Sequence, residues 1–279
     1  MQTTGVYFHE IFKEASWEIV GERFRNFPEV MEDVLSLPNV TLIRPEKVSE
    51  DLLLSVHTPE FLDGIKKRWD YEAACFSVGG CVEASWQVMS GEMRNALVFN
   101  LAAGHHASPS HAWGGTYISS IGPAVSNLRK MGINERFAIL DTDAHHGDGT
   151  RAIFMGDHDV LHVCFCYGSR VEDEGTKIDI DPGWKTSDEE YLELVRQEFV
   201  GRVDDFSPSL IFHELGYDTC RGDYGDRGLS PEFFIELVRE VKRCAERVCE
   251  GRYIVITMGG ARRETAEYIF PRIVEVMAE

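Results

Sequence analysis

RFAILDTDAHHGDGT, residues 136–150, passes from an apolar run into ten positions that hold three aspartates, two histidines and two glycines. A buried strand ending in five ionisable side chains is the pattern of a sheet whose strand ends build a site. In an extended chain alternate side chains point the same way, so Asp141, Asp143 and His145 share one side. Two adjacent carboxylates repel unless a cation or a proton lies between them. The imidazole beside them favours zinc or another divalent transition metal, because calcium and magnesium take oxygen donors. Gly147 and Gly149 permit a sharp turn into a helix beginning near Thr150. A helix cap in a tight turn accounts for one aspartate, but not for three with two histidines.

Working outward, NALVFN (95–100), DVLHVCF (159–165), PSLIFHEL (208–215) and RYIVITM (252–258) are also nearly continuous in apolar character. Strands buried on both faces of a parallel sheet read this way. GVYF (5–8) and TLIRP (41–45) are weaker candidates for the edges. Helical spacing marks residues 17–37, 49–57, 59–69, 71–91, 124–132, 188–203 and 230–250. Ser49 is expected to cap its helix, and Ser230-Pro231-Glu232 is a good helix start. Strand alternating with helix predicts an α/β fold: one domain over 1–279, an open, mainly parallel sheet with helices on both faces.

In such sheets ligands bind beyond the carboxyl ends of the strands. There NALVFN runs into LAAGHHA, with His105 and His106, and PSLIFHEL runs into GYDTCRGD, with Asp218 and Asp223. RYIVITM runs into GGARRE. A catalytic zinc needs three protein ligands and an open position. Asp143 and His145 supply two, and Asp218 is a natural third. His105 and His106 offer acid/base groups able to take a proton from a metal-bound water and pass it to a leaving amine. Asp141 and Asp148 are the carboxylates available to orient them.

The composition of the 279 residues is that of an ordinary soluble globular chain, 43% hydrophobic and 27% charged. A net charge of −19 gains nothing from counterion release, so nucleic acid is not expected as a partner. No apolar run approaches a membrane span and the amino terminus lacks a signal-peptide core, so no membrane partner is expected. Seven irregularly spaced cysteines read as free thiols in a reducing cytoplasm.

The chain resembles the zinc-dependent histone deacetylase family, within the arginase/deacetylase superfamily. GHHA (104–107) is similar to the family's GHHA motif, DTDAHHGDGT to DxDxHHGNGT, and LGYDTCRGD (215–223) to its GxDxxxxD segment. SEDLLLSVHTPEFLDGI (49–65) resembles the family's amino-terminal segment. The resemblance implies one Zn2+ held by Asp143, His145 and Asp218. It implies His106 as general base and acid, oriented by Asp148, and His105 as its electrostatic partner, oriented by Asp141. The implied reaction is hydrolysis of an acyl amide, and the implied partner is a small-molecule or side-chain N-acyl amine substrate.

The departures lie at the rim. The family's GGGY motif, whose tyrosine donates to the oxyanion, is replaced by TMGGARRE, which aligns Arg262 with that tyrosine. Gly115, in WGGTYISS, stands where the family has a phenylalanine wall, so an open mouth is expected. Asp70 is what remains of a longer loop whose acidic residue grips the substrate. Cys164-Phe165-Cys166 replaces a common Ser-Leu-His, which speaks against a potassium ion (K+) beneath the zinc. The leading expectation is therefore a zinc-dependent amidohydrolase with a non-standard substrate site. The alternative is a catalytically weak, zinc-containing acyl-binding or regulatory protein. An arginase-like dimanganese enzyme needs a carboxylate two residues after Asp218, where Cys220 stands.

Overall fold

Phe137–Asp141, the strand at the head of that opening stretch, lies near the middle of a sheet with neighbours on both edges. The computed structural model describes residues 3–14 and 21–279. Among the described residues nine strands form the sheet. They are β1 (Thr4–Tyr7), β2 (Val40–Ile43), β3 (Asn95–Val98), β4 (Phe137–Asp141), β5 (Val160–Phe165), β6 (Arg170–Glu172), β7 (Lys177–Ile180), β8 (Leu210–Leu215) and β9 (Tyr253–Thr257). Their order is β2-β1-β3-β9-β8-β4-β5-β7-β6, parallel throughout except for the antiparallel β6–β7 pair at one edge. The fold class agrees with the sequence, and both weak strands form, but only β2 lies at an edge; β1 is flanked by β2 and β3.

Why the strands do not alternate is now visible. Leu97, Leu140, Val163, Ile211 and Val255 face one apolar layer, and Val98, Ile139, Phe212, Ile254 and Ile256 face the other. Helices α1 (Tyr71–Met89), α2 (Ile121–Lys130) and α3 (Asp148–Phe154) cover the second layer. Helices α4 (Asp188–Val195), α5 (Pro231–Val248) and α6 (Arg263–Ala278) cover the first. Ser230 caps α5 by accepting the Phe233 N–H at 3.3 Å, with Pro231 in the first turn. Ser187 and Glu190 close a capping box on α4.

The helix expected over 17–37 does not form as one unit. Residues 17–20 lie outside the described residues, and the rest holds only Glu29–Met31 and Glu32–Leu35. Pro28 falls inside that span, and a proline in a helix interior lacks an N–H and clashes with the preceding turn. Ser49 occupies its cap position without a side-chain capping bond, and its helix is a single turn, Glu50–Leu53. Strands β6 and β7 and helix α6 are additions. Lys177 conceals β7, because its buried ammonium bonds to the carbonyls of Asp157 and Val160. Pro271 sits within α6. Among the described residues, no helix is long and apolar enough to cross a membrane.

Candidate active site

Four neighbouring strands, β3, β9, β8 and β4, deliver their following loops to one rim. The β4 loop carries Asp143 and His145, the β8 loop Asp218, the β3 loop His105 and His106, and the β9 loop Gly259. The rim encloses a cavity of ≈ 460 Å³.

Asp143, His145 and Asp218 converge. His145 Nδ1 lies 3.0 Å from Asp143 Oδ1 and 3.1 Å from Asp218 Oδ2, and one donor atom from each residue falls within 4.8 Å of the others. Backbone N–H groups fix both carboxylates. Asp143 Oδ2 accepts from Gly259 N at 2.7 Å, and Asp218 Oδ1 from Ala144 N at 3.1 Å. Asp218 Oδ2 is fully buried, and its charged neighbour, His145 Nδ1, is already shared with Asp143 Oδ1. Two buried carboxylates this close together are costly unless a cation stands between them. Burial and the neighbouring Asp143 charge push the Asp218 carboxyl up to about 7, and the two aspartates raise the His145 imidazole to about 10. His145 and Asp218 thus retain protons that a divalent ion would displace. The donor set, with two converging buried carboxylates and an imidazole, fits such an ion.

Each histidine of the β3 loop has its own carboxylate. His105 Nδ1 is 2.8 Å from Asp141 Oδ2, and His106 Nδ1 is 2.7 Å from Asp148 Oδ1. Their environments push them apart. Burial pulls His105 down, but Asp141 and Asp143 outweigh it and hold the imidazole well above its ordinary value. Burial and the adjacent His105 lower His106, against the pull of Asp148. Gly149 lets α3 start against this loop, since a Cβ there would lie 2.4 Å from Ala107 N and 2.5 Å from the His106 carbonyl carbon.

The other anticipated residues are placed as follows. Asp70 and Gly115 line the cavity. Asp70 is buried and held by Arg68 at 2.9 and 3.0 Å. The side chain of Arg262 is not brought to the trio. Its guanidinium lies against Gly222, and its N–H donates to Asp223 at 3.0 Å.

Three residues carry the site without having been singled out. Tyr224 lines the cavity from the Asp218 loop, its ring 5.8 Å from that of His145. Its hydroxyl accepts the Gly260 N–H at 2.9 Å, and a Cβ on Gly259 would lie 2.7 Å from it. Burial and the Asp218 and Asp143 carboxylates raise this phenol, which keeps its proton for donation. Trp113 stacks on His106 at 3.8 Å and donates to Asp148 at 2.8 Å. It supplies an aromatic wall two residues before Gly115, so the mouth is less bare than Gly115 alone suggests. Arg23 is buried and ties the ends of β3 and β9 together through the carbonyls of Asn100, Met258 and Gly260. A tyrosine six residues past Asp218 was the one available sequence signal; the approach of the β8 and β9 loops was not readable.

The histone deacetylase domain profile matches residues 68–277. A probable deacetylase of Archaeoglobus fulgidus is 29% identical, over 94% of this chain and 82% of its own length. A histone deacetylase-like amidohydrolase of Pseudomonas aeruginosa is 30% identical, over 76% of this chain and 64% of its own. The crystal structure of the HDA15 HD domain superposes with a TM-score of 0.84 over 100% of this chain and 90% of that one, at 20% identity, a likeness of fold. With that profile matched over most of its length and the nine-stranded sheet beneath it, the chain belongs to the histone deacetylase domain family.

Proposed function

We propose that this chain, a hydrolytic deacetylase by family, removes an acyl group, acetyl first, from an amine by zinc-assisted attack of water. The observation that carries the reading is the convergence of Asp143, His145 and Asp218 beside two histidines, each oriented by its own carboxylate. A zinc ion on those three residues supplies Lewis-acid polarisation of the scissile carbonyl and brings the pKa of water to about 7.

The chain's own groups do the rest. His106 is kept neutral by burial and by the neighbouring His105 charge. With Nδ1 fixed on Asp148, its Nε2 takes the proton of the attacking water and returns it to the leaving amine. His105, held charged by Asp141, stabilises the negative charge that develops. Tyr224 donates its hydroxyl to the oxyanion, the role that sequence alignment gives to Arg262. Trp113 excludes water from the outer face of His106. Asp70 offers a carboxylate edge to the N–H groups of a substrate, and Gly115 leaves room beside it. The substrate is a small-molecule or side-chain N-acyl amine.

The test is to offer metal-loaded protein a panel of acetyl-lysine peptides and small N-acetyl amines and to measure free amine. Release that stops with a chelator and returns with Zn2+ supports the reading. Folded, metal-loaded protein that releases no amine from any member sinks it.

A further inference from the structure

On the flank of the loop that carries His145 lies a second group of donors that the proposed reaction does not use. Strand β5 ends at Phe165, with Cys164 just before it and Cys166 just after, the latter still bonded to Ile180 O of β7 through its N–H. Alternate residues of a strand point to one side, so both thiols face the same way. Cys164 pairs across the ladder with Asp179 of β7, and His146 comes over both from the β4 loop. His146 Nδ1 is 3.4 Å from Cys166 Sγ and 3.4 Å from Asp179 Oδ1. The four donor atoms lie within 4.8 Å of one another.

We propose that His146, Cys164, Cys166 and Asp179 form a second, thiolate-containing metal site that takes a soft ion, zinc first, and clamps the 143–148 loop to β5 and β7. A tetrahedral zinc with bonds of about 2.0–2.3 Å spaces its donors about 3.3–3.8 Å apart. The observed separations reach that geometry through side-chain rotations of about an ångström. A disulfide is the poorer use of the same thiols. Residues two apart on a strand span about 6.6 Å, at the limit a disulfide bridges. Two thiolates and a carboxylate select a soft ion over potassium, magnesium or calcium. Arg151 supplies the counter-charge, its guanidinium on Asp179 at 2.5 and 3.3 Å. Both cysteines are buried while His146 is half-buried, which leaves one path for entry. A clamp here fixes the backbone from which Asp143, His145 and Asp148 project, whatever acyl group the site above accepts.

The experiment loads the whole, reduced chain with Co2+ and records its absorption. Asp143, His145 and Asp218 hold no sulfur, so a thiolate-to-cobalt charge-transfer band reports the second site alone. The band is expected in the wild type and in Asp143→Ala. It is lost in Cys166→Ser, with zinc content falling from two ions per chain to one. His146→Gln, at a half-buried position, keeps the test open should Cys166→Ser misfold, and it weakens cobalt binding in that band at least tenfold. Absence of the band from the cobalt-saturated wild type overturns the proposal. So does a band that survives both Cys166→Ser and His146→Gln, or a zinc content of one ion unaffected by either.

Discussion

Tyr224 is where two loops meet the group of Asp143, His145 and Asp218. Its phenol is anchored by Gly260 N–H and raised by burial beside Asp218 and Asp143, so it remains a donor across the neutral range. Removing one oxyanion donor typically costs about 10²–10³ in rate. Tyr224→Phe is therefore expected to lower kcat by that factor with KM little changed, and steady-state kinetics check it. Arg262→Ala is expected to change kcat by less than about threefold, because its guanidinium lies on Gly222, away from the trio. A large loss there with none at Tyr224 would reverse the two assignments. Beneath the site, burial and the Asp141 charge push the Glu214 carboxyl up to about 8, so it is mostly protonated at neutral pH. Glu214→Gln keeps its shape and neutrality, and the melting temperature at pH 7 is expected to stay near that of the wild type. At this scale the sequence was most legible for Asp143, His145 and Asp218, because rigid strands dictate where their ends go. Tyr224 escaped because its position depends on how the β8 loop folds against the β9 loop.

Among elements, the turn from β9 into α6 shows how tightly the loops are fitted. A Cβ on Gly259 would stand 2.4 Å from Asp143 Oδ2 and 2.7 Å from the Tyr224 hydroxyl. Gly259→Ala must therefore move Asp143, the proposed metal ligand, and Tyr224, the proposed oxyanion donor, together. Disturbing groups that orient ligands costs about 10–100-fold in metal affinity. We expect a loss in that range by chelator competition, with the fold retained by circular dichroism. Unchanged affinity would mean that Asp143 does not bind through the held geometry. The central strands were legible because both faces of each are apolar. The short edge pair β6–β7 was not, since Lys177 looks exposed in sequence but is buried with its ammonium on backbone carbonyls. Helix α6 was hidden in the same way by Pro271. Pro28 marks the opposite error, a helical spacing that the backbone could not follow.

For the molecule as a whole, the acid side of stability is set by buried neutral histidines. His57 joins two distant segments, its Nδ1 3.0 Å from Ser108 O and its Nε2 accepting the Ser119 N–H at 3.0 Å. Burial lowers it from 6.5 to about 4. The unfolded chain takes up this proton below about pH 6.5, while the folded chain does not until about pH 4. Stability is thus complete above pH 6.5 and falls between 6.5 and 4, by up to about 3 kcal/mol from this residue. Denaturant unfolding of His57→Gln should show a flatter decline across that window, and an unchanged slope would contradict the account. The parallel sheet and the convergence of strand ends on one rim follow from an alternation of strand and helix that the sequence shows, whereas the order of the strands and the closure of the mouth by Trp113 depend on packing and on the path of a loop. The central claim is the ion itself, and anomalous scattering at the zinc edge from crystals of the zinc-loaded protein tests it most directly. The account predicts a peak about 2.0–2.2 Å from donor atoms of Asp143, His145 and Asp218. A zinc-loaded crystal with no peak among those three residues would contradict it.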